Sequence, residues 1–286
     1  MKLLNFSLPD GEVRIGVAVG HGIVDISSRL DIPADMSSLI ASFDRFGKGI
    51  AALAKTRPAD YLLADVTVLA PVLRPGKILG IGLNYADHIK EGGHPAPSEQ
   101  MWFSKAVTSV QSPFGDIVLP AISEQLDYEA ELVFIIGTRC RHVAVQNARQ
   151  VIFGYCAGND VSVRDWQRKP TQHMLGKSFD THAPFGPWIV TADEIGDPHE
   201  MGIRCWVNGE LRQDSNTREL VFDCFDQVAY LSQVMTLEPG DVIFTGTPGG
   251  VGAAFKPPRF LKAGDKVRVE LDKIGMIEST VIPEAM

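Results

Sequence analysis

The sequence predicts an α+β fold, rich in strand, with a small α/β unit at its N-terminus. Three observations carry that expectation. Strand-like segments dominate from Lys77 onward, helical segments are few, and the regular strand–helix alternation of a doubly wound parallel sheet is missing. The 286 residues are enough for one large domain or two unequal ones. A small N-terminal domain is expected over residues 1–70 and a larger domain over 71–286.

Taken in order, MKLLNFSLPDGEVRIGVAVG reads as two strands around a Pro-Asp-Gly turn. It lacks the apolar core of a signal peptide, and no apolar run reaches the roughly 18–20 residues that span a bilayer. A soluble, cytoplasmic protein is the expectation. GHGIVDISS follows, then a helix around Met36–Lys55, then the Pro-bearing junction LAPVLRPGK. KILGIGL is a short apolar strand, and Tyr85–Glu91 a short helix. DIVLP and LDYEAELVFIIG are extended, Ala144–Phe153 helical, and PWIVTAD extended. IRCWVNGELR places Asn208-Gly209 between two extended stretches, a strong hairpin signal. Phe222–Met235 has helical spacing of apolar residues. Gly-Asp turns launch two further strands, in LEPGDVIFTG and LKAGDKVRVEL.

Composition narrows the function classes. Apolar residues are 45% and charged residues 22%, as in an ordinary globular enzyme. A net charge of −8 without a basic run argues against nucleic acid as a partner. The four cysteines, at 140, 156, 205 and 224, form no CxxC pair and fit no zinc module. Buried free thiols are expected.

Chemistry concentrates in five segments. In LDYEAELVFIIG the acids Asp127, Glu129 and Glu131 alternate, so a strand places them on one face. Successive same-face positions are about 6.5–7 Å apart, and ionised carboxylates there repel unless they face water or share a cation. Both readings stay open on spacing alone, as a solvated edge or as a site for a hard ion such as Mg²⁺, Mn²⁺ or Ca²⁺. Asp160, in GNDVSVRDWQ, either caps a turn or completes a three-carboxylate set. His88 and Glu91 share a helix face at i, i+3, and a carboxylate there would orient an imidazole for base chemistry. Lys177 lies in HMLGKSFDTHAPFGPW, a shaped stretch. TGTPGGVG is rich in backbone donors that could cradle an anion. Nucleotide motifs fail: Gly80-Ile81-Gly82 has Tyr85 where a third glycine belongs, TGTPGGVG lacks the GK[ST] ending of a P-loop, and no GxSxG occurs.

These five segments, in their order along the chain, resemble the fumarylacetoacetate hydrolase family over about residues 71–286, and its acylpyruvase-like branch most. The resemblance implies a mixed β-sandwich roll, a homodimer, and Mg²⁺ or Mn²⁺. It implies Glu129, Glu131 and Asp160 as metal ligands, with Asp127 outside the set. It implies His88 and Glu91 as the water-activating pair and Lys177 as a catalytic cation, with Arg164, Gln167 and Thr247 facing the substrate. The expected reaction is hydrolysis of a C–C bond in a 2,4-diketo acid (an acylpyruvate), releasing pyruvate. The alternative is an oxaloacetate decarboxylase or tautomerase, or a keto-acid isomerase, using the same site. The segments His94–Gln100 and Gln167–Thr181 are expected to select the substrate.

Overall fold

The computed structural model describes every residue except His94, Ala96, Pro170 and Met286. Twelve strands form one mixed sheet. Its main path runs Tyr61–Leu62, Gly22–Asp25, Val13–Val19, Lys2–Ser7, Ala183–Thr191, Ile152–Asn159, Ala130–Ile136, Val242–Phe244, Ile78–Gly82, Met101–Ser104. Thr67–Leu69 and Val110–Gln111 pair onto this path from the side. A five-stranded sheet holds Glu210–Asn216, Gly202–Val207, Lys266–Leu271, Gly275–Pro283 and Ile117–Leu119. A two-stranded ribbon joins Leu126–Asp127 to Ser162–Val163.

The N-terminal stretch is built into the large sheet. Lys2 pairs with Val190 and Leu3 with Ile189. Its helices, Met36–Ala41 and Phe43–Thr56, cover one sheet face, where Leu39, Ile40 and Ile50 pack in a cluster with Val133 and Ile135. On the other face Leu132, Phe134 and Ile136 share a second cluster with Ile203, Val267 and Val269 of the five-stranded sheet. The strand Ala130–Ile136 is therefore apolar on both faces, and all seven of its residues are buried. Leu132–Ile136 is unbroken in hydrophobicity because alternation is lost when neither face meets water.

The structure departs from the expected elements in four places. LDYEAELVFIIG is two strands, Leu126–Asp127 and Ala130–Ile136. The two halves pair with different partners, Ser162–Val163 and Ile152–Asn159, so the chain must break between them. The helix expected over Ala144–Phe153 is cut to Val145–Ala148 and one further turn. A strand begins at Ile152, where β-branched and aromatic residues favour the sheet. The helix expected around Met36–Lys55 is broken at Ser42. Finally, Met174–Lys177 is a short helix inside the segment expected to be a shaped, irregular stretch, and a second short helix, Arg164–Arg168, precedes it. The Asn208-Gly209 hairpin forms as expected, with positive φ at both residues. The C-terminal helix is Cys224–Val234, closed by an Asp223–Asp226 capping box. Among the described residues no helix is long and apolar enough to cross a membrane.

Candidate active site

The site begins at the broken strand. Asn159 and Asp160 lie at the end of the neighbouring strand, and both bind the break. The Glu129 N–H donates to Asn159 Oδ1 at 3.0 Å, and the Asp160 N–H donates to the Glu129 carbonyl at 2.9 Å. Two rigid strands thereby bring Glu129, Glu131 and Asp160 together. All three are buried, and each offers an oxygen within 4.8 Å of the others.

A second layer of charge surrounds the triad. Lys177 Nζ donates to Glu129 Oε2 and Asp160 Oδ2, both at 2.6 Å. Lys105 Nζ donates to Asp160 Oδ1 at 2.5 Å. Arg164 contacts Glu129 Oε1 at 2.6 Å, Asp127 Oδ2 at 2.8 Å and Gln167 Oε1 at 3.0 Å. The buried cluster holds four carboxylates, Asp127, Glu129, Glu131 and Asp160, against three cations, Lys105, Arg164 and Lys177. Its excess is one negative charge, and this falls unevenly. Burial alone would push Glu129 up, but Lys177 and Arg164 outweigh burial and hold its carboxyl well below the usual range. Among the described residues Glu131 makes no direct ion pair, and the pull of Lys177 on it is outweighed. Burial, then Asp160 and Glu129, push its carboxyl well up. Three hard oxygen donors converging on an under-compensated negative centre fit a small divalent cation such as Mg²⁺ or Mn²⁺.

The glycine-rich loop does cradle anions, but they are the protein's own. The Gly246 N–H binds Glu131 at 2.7 Å, and Gly250 N–H binds both oxygens of Glu91 at 3.0 and 3.1 Å. Gly252 and Ala253 N–H bind the two oxygens of Asp127 at 2.7 and 3.0 Å. His88 Nδ1 lies 3.4 Å from Glu91 Oε2. Burial opposes the Glu91 charge, but His88 and the Gly250 N–H outweigh it and keep its carboxyl below the usual value. This fixes the short helix Ala86–Gly92 against the loop.

Six of the nine expected site residues, His88, Glu129, Arg164, Gln167, Lys177 and Thr247, line one cavity of about 670 Å³. Glu91 holds His88 from behind, and Glu131 and Asp160 complete the triad at Glu129. Thr247 reaches the cavity, yet its hydroxyl is already engaged. It donates to the Ala130 carbonyl and accepts from Gln213, each at 2.9 Å. That hydroxyl pins the loop to the strand that carries Glu131. Gly80 of the failed nucleotide motif has a packing reason, since a Cβ there would lie 2.5 Å from the Phe103 ring. A larger cavity of about 760 Å³, around Thr67, Phe114 and Trp188, has no titratable side chain among its lining residues. In the two segments expected to select substrate, His94, Ala96 and Pro170 lie outside the described residues.

Two site residues, Lys105 and Gln213, escaped sequence reasoning, and the partners of a third, Asp127, were not foreseen. Lys105 closes an apolar strand, and a charge at such a buried end was its only signal. Asp127, set outside the ligands, is the shared acceptor of Arg164 and the loop. Gln213 binds the Ala130 N–H at 2.9 Å and the loop at Thr247 and Pro248. A lone Gln on a surface-like strand gives no warning of that.

Comparison with known proteins agrees with this geometry. The model of the family described as "Fumarylacetoacetate (FAA) hydrolase C-terminal" matches residues 77–282. A rat (Rattus norvegicus) protein named "Oxaloacetate tautomerase Fahd2a, mitochondrial" is 40% identical, over 99% of this chain and 92% of its own length. The maleylpyruvate hydrolase of Sphingobium sp. SYK-6, solved with manganese(II) and pyruvate, is 34% identical, covers 100% of both chains and superposes with a TM-score of 0.84. The 5-carboxymethyl-2-hydroxymuconate delta-isomerase of Mycobacterium smegmatis is 35% identical, covers 99% of this chain and 100% of its own, and has a TM-score of 0.79. Relatives from rat, cattle, human and Xenopus laevis are named mitochondrial, which overturns the cytoplasmic placement expected from the N-terminus. That expectation rested on a missing signal peptide, a feature that speaks only to secretion. Motif order, fold and full-length similarity meet in one conclusion: this chain is a member of the fumarylacetoacetate hydrolase family, with that family's α+β fold.

Proposed function

We propose that this protein is a tautomerase that interconverts the keto and enol forms of a small 2-keto acid, with oxaloacetate as its substrate and Mg²⁺ or Mn²⁺ at Glu129, Glu131 and Asp160. The observation that carries the reading is 40% identity over 99% of the chain to a protein named an oxaloacetate tautomerase. It takes the place of C–C hydrolysis as the leading activity. When bound, the cation supplies Lewis acidity at the 2-oxo group. His88, its Nδ1 held by Glu91, presents its other ring nitrogen for proton transfer. The C3–H bond breaks as His88 takes the proton, the bonding pair becomes the C2=C3 double bond, the C2=O π pair moves onto the oxygen, and protonated His88 returns the proton there. The reverse sequence regenerates the ketone. Lys177 and Arg164 hold the anionic end of the substrate against the triad.

Acylpyruvate hydrolysis is the second reading, favoured by the similarity to a maleylpyruvate hydrolase. In that reading His88 takes its proton from water. One assay separates the two. Manganese-loaded protein is given enol-oxaloacetate, followed by loss of enol absorbance, and separately an acylpyruvate, followed by pyruvate release. Acceleration of the first is expected. Pyruvate release with no effect on the enol would overturn tautomerisation. Family resemblance also supports a homodimer, which light scattering of the purified protein would test.

A further inference from the structure

The cavity wall carries two donors that the ion network leaves free. Arg168 and His173 both line the cavity, and among the described residues neither has a hydrogen-bond or ion-pair partner. Arg168 ends the helix Arg164–Arg168, and His173 directly precedes the helix Met174–Lys177. Gly176 allows those helices to meet, because a Cβ there would lie 2.3 Å from the Gln167 backbone nitrogen. His173 is half-buried, and its ring centroid stands 6.1 Å from that of Phe103. Lys177 Nζ lies 5.0 Å from the centroid of the same Phe103 ring. The imidazole is thus placed by packing rather than by a hydrogen bond, and its nitrogens stay available. Burial and Lys177 lower its pKa below the ordinary histidine value, so at neutral pH it keeps one N–H donor.

The tautomerase reading sets the 2-keto-acid end of the substrate at the triad, Lys177 and Arg164. The rest of the substrate then extends along a wall that ends in a guanidinium and an imidazole. A methyl or alkyl group gains nothing from such a wall, whereas an anion gains two donors. We propose that His173 and Arg168 form a subsite for the distal carboxylate of a dicarboxylic 2-keto acid, and so select it over a monocarboxylic one. This rests on the tautomerase reading for the orientation of the substrate.

Malate and lactate test it, since they differ only by the distal carboxylate. Both are titrated calorimetrically into manganese-loaded wild type, His173→Leu, His173→Asn and Arg168→Ala. Wild type is expected to bind malate more tightly than lactate. His173→Leu and Arg168→Ala should each weaken malate binding by about tenfold, the size of one lost charge-assisted hydrogen bond, and leave lactate unchanged. His173→Asn, which keeps a donor, should recover part of the loss. Equal weakening of both ligands, or no change in either, would overturn the subsite. Turnover is read separately as loss of enol-oxaloacetate absorbance. Selective malate binding through His173 without turnover would leave the subsite standing and remove the tautomerase reading.

Discussion

Asp127→Ala should be among the most damaging substitutions near this site, although Asp127 lies outside the carboxylate triad. Its side chain is fully buried and takes Arg164 Nε at 2.8 Å, Gly252 N–H at 2.7 Å and Ala253 N–H at 3.0 Å. Truncation leaves three backbone donors, at Gly252, Ala253 and Tyr128, without this acceptor and half-releases a buried guanidinium. Unpaired buried donors cost about 1–3 kcal/mol each, and breaking a buried ion pair costs about 3–5 kcal/mol. These terms overlap, and Arg164 keeps Glu129 at 2.6 Å, so a total of about 3–5 kcal/mol is expected. Urea unfolding of the metal-free protein measures it directly. Asp127→Asn keeps an acceptor and loses only the charge, so it should cost about 1–3 kcal/mol. Manganese affinity, measured by calorimetry on the folded variant, should stay near wild type because the triad is intact. An alanine variant within about 1 kcal/mol of wild type, or one that loses manganese binding while still folded, would refute the reasoning.

Gly176→Ala should lower turnover about a hundredfold while the triad still binds manganese. The new methyl meets Gln167 backbone atoms at 2.3 and 2.5 Å, and a shift of about 1 Å in the helix carrying Lys177 is enough for such a loss; undiminished turnover would show that the helix is free to move. His88→Ala should keep its manganese affinity and lose enol conversion by about 10²–10⁴-fold, the usual share of a general base, and an unchanged rate would remove that role. Metal binding should release protons and tighten as pH rises. Burial, Asp160 and Glu129 raise the Glu131 pKa, so its proton competes with the cation in the window above the ordinary carboxylate value and ceases to compete once pH passes the raised one. Calorimetry in two buffers of different ionisation enthalpy should give different apparent heats, and identical heats would count against it.

Much of the site was readable because its chemistry is local. His88 and Glu91 lie on one helical turn, and Glu129 and Glu131 are two residues apart at the start of one strand, so short spacing brings each pair close. The hairpin at Asn208-Gly209 was readable for the same reason, since a positive φ at two adjacent residues is a property of those residues. Long-range pairing was not readable. The break between Asp127 and Ala130 exists because the two halves of one apolar stretch pair with different strands, and nothing within the twelve residues of LDYEAELVFIIG says so.

What the sequence by itself determined is the set of reactive groups and their order: a His–Glu pair, two alternating acids, a distant aspartate and a lysine. The tertiary structure alone decided how their charges are balanced. Lys105 is 55 residues from Asp160, and Gly252 is 125 residues from Asp127, yet such contacts decide which carboxylates are paired and which, like Glu131, have their charge opposed by burial and neighbouring acids. Periodicity reports which side chains share a face over a few residues. Charge compensation in a buried site depends on distances of a few ångströms between segments that only folding brings together.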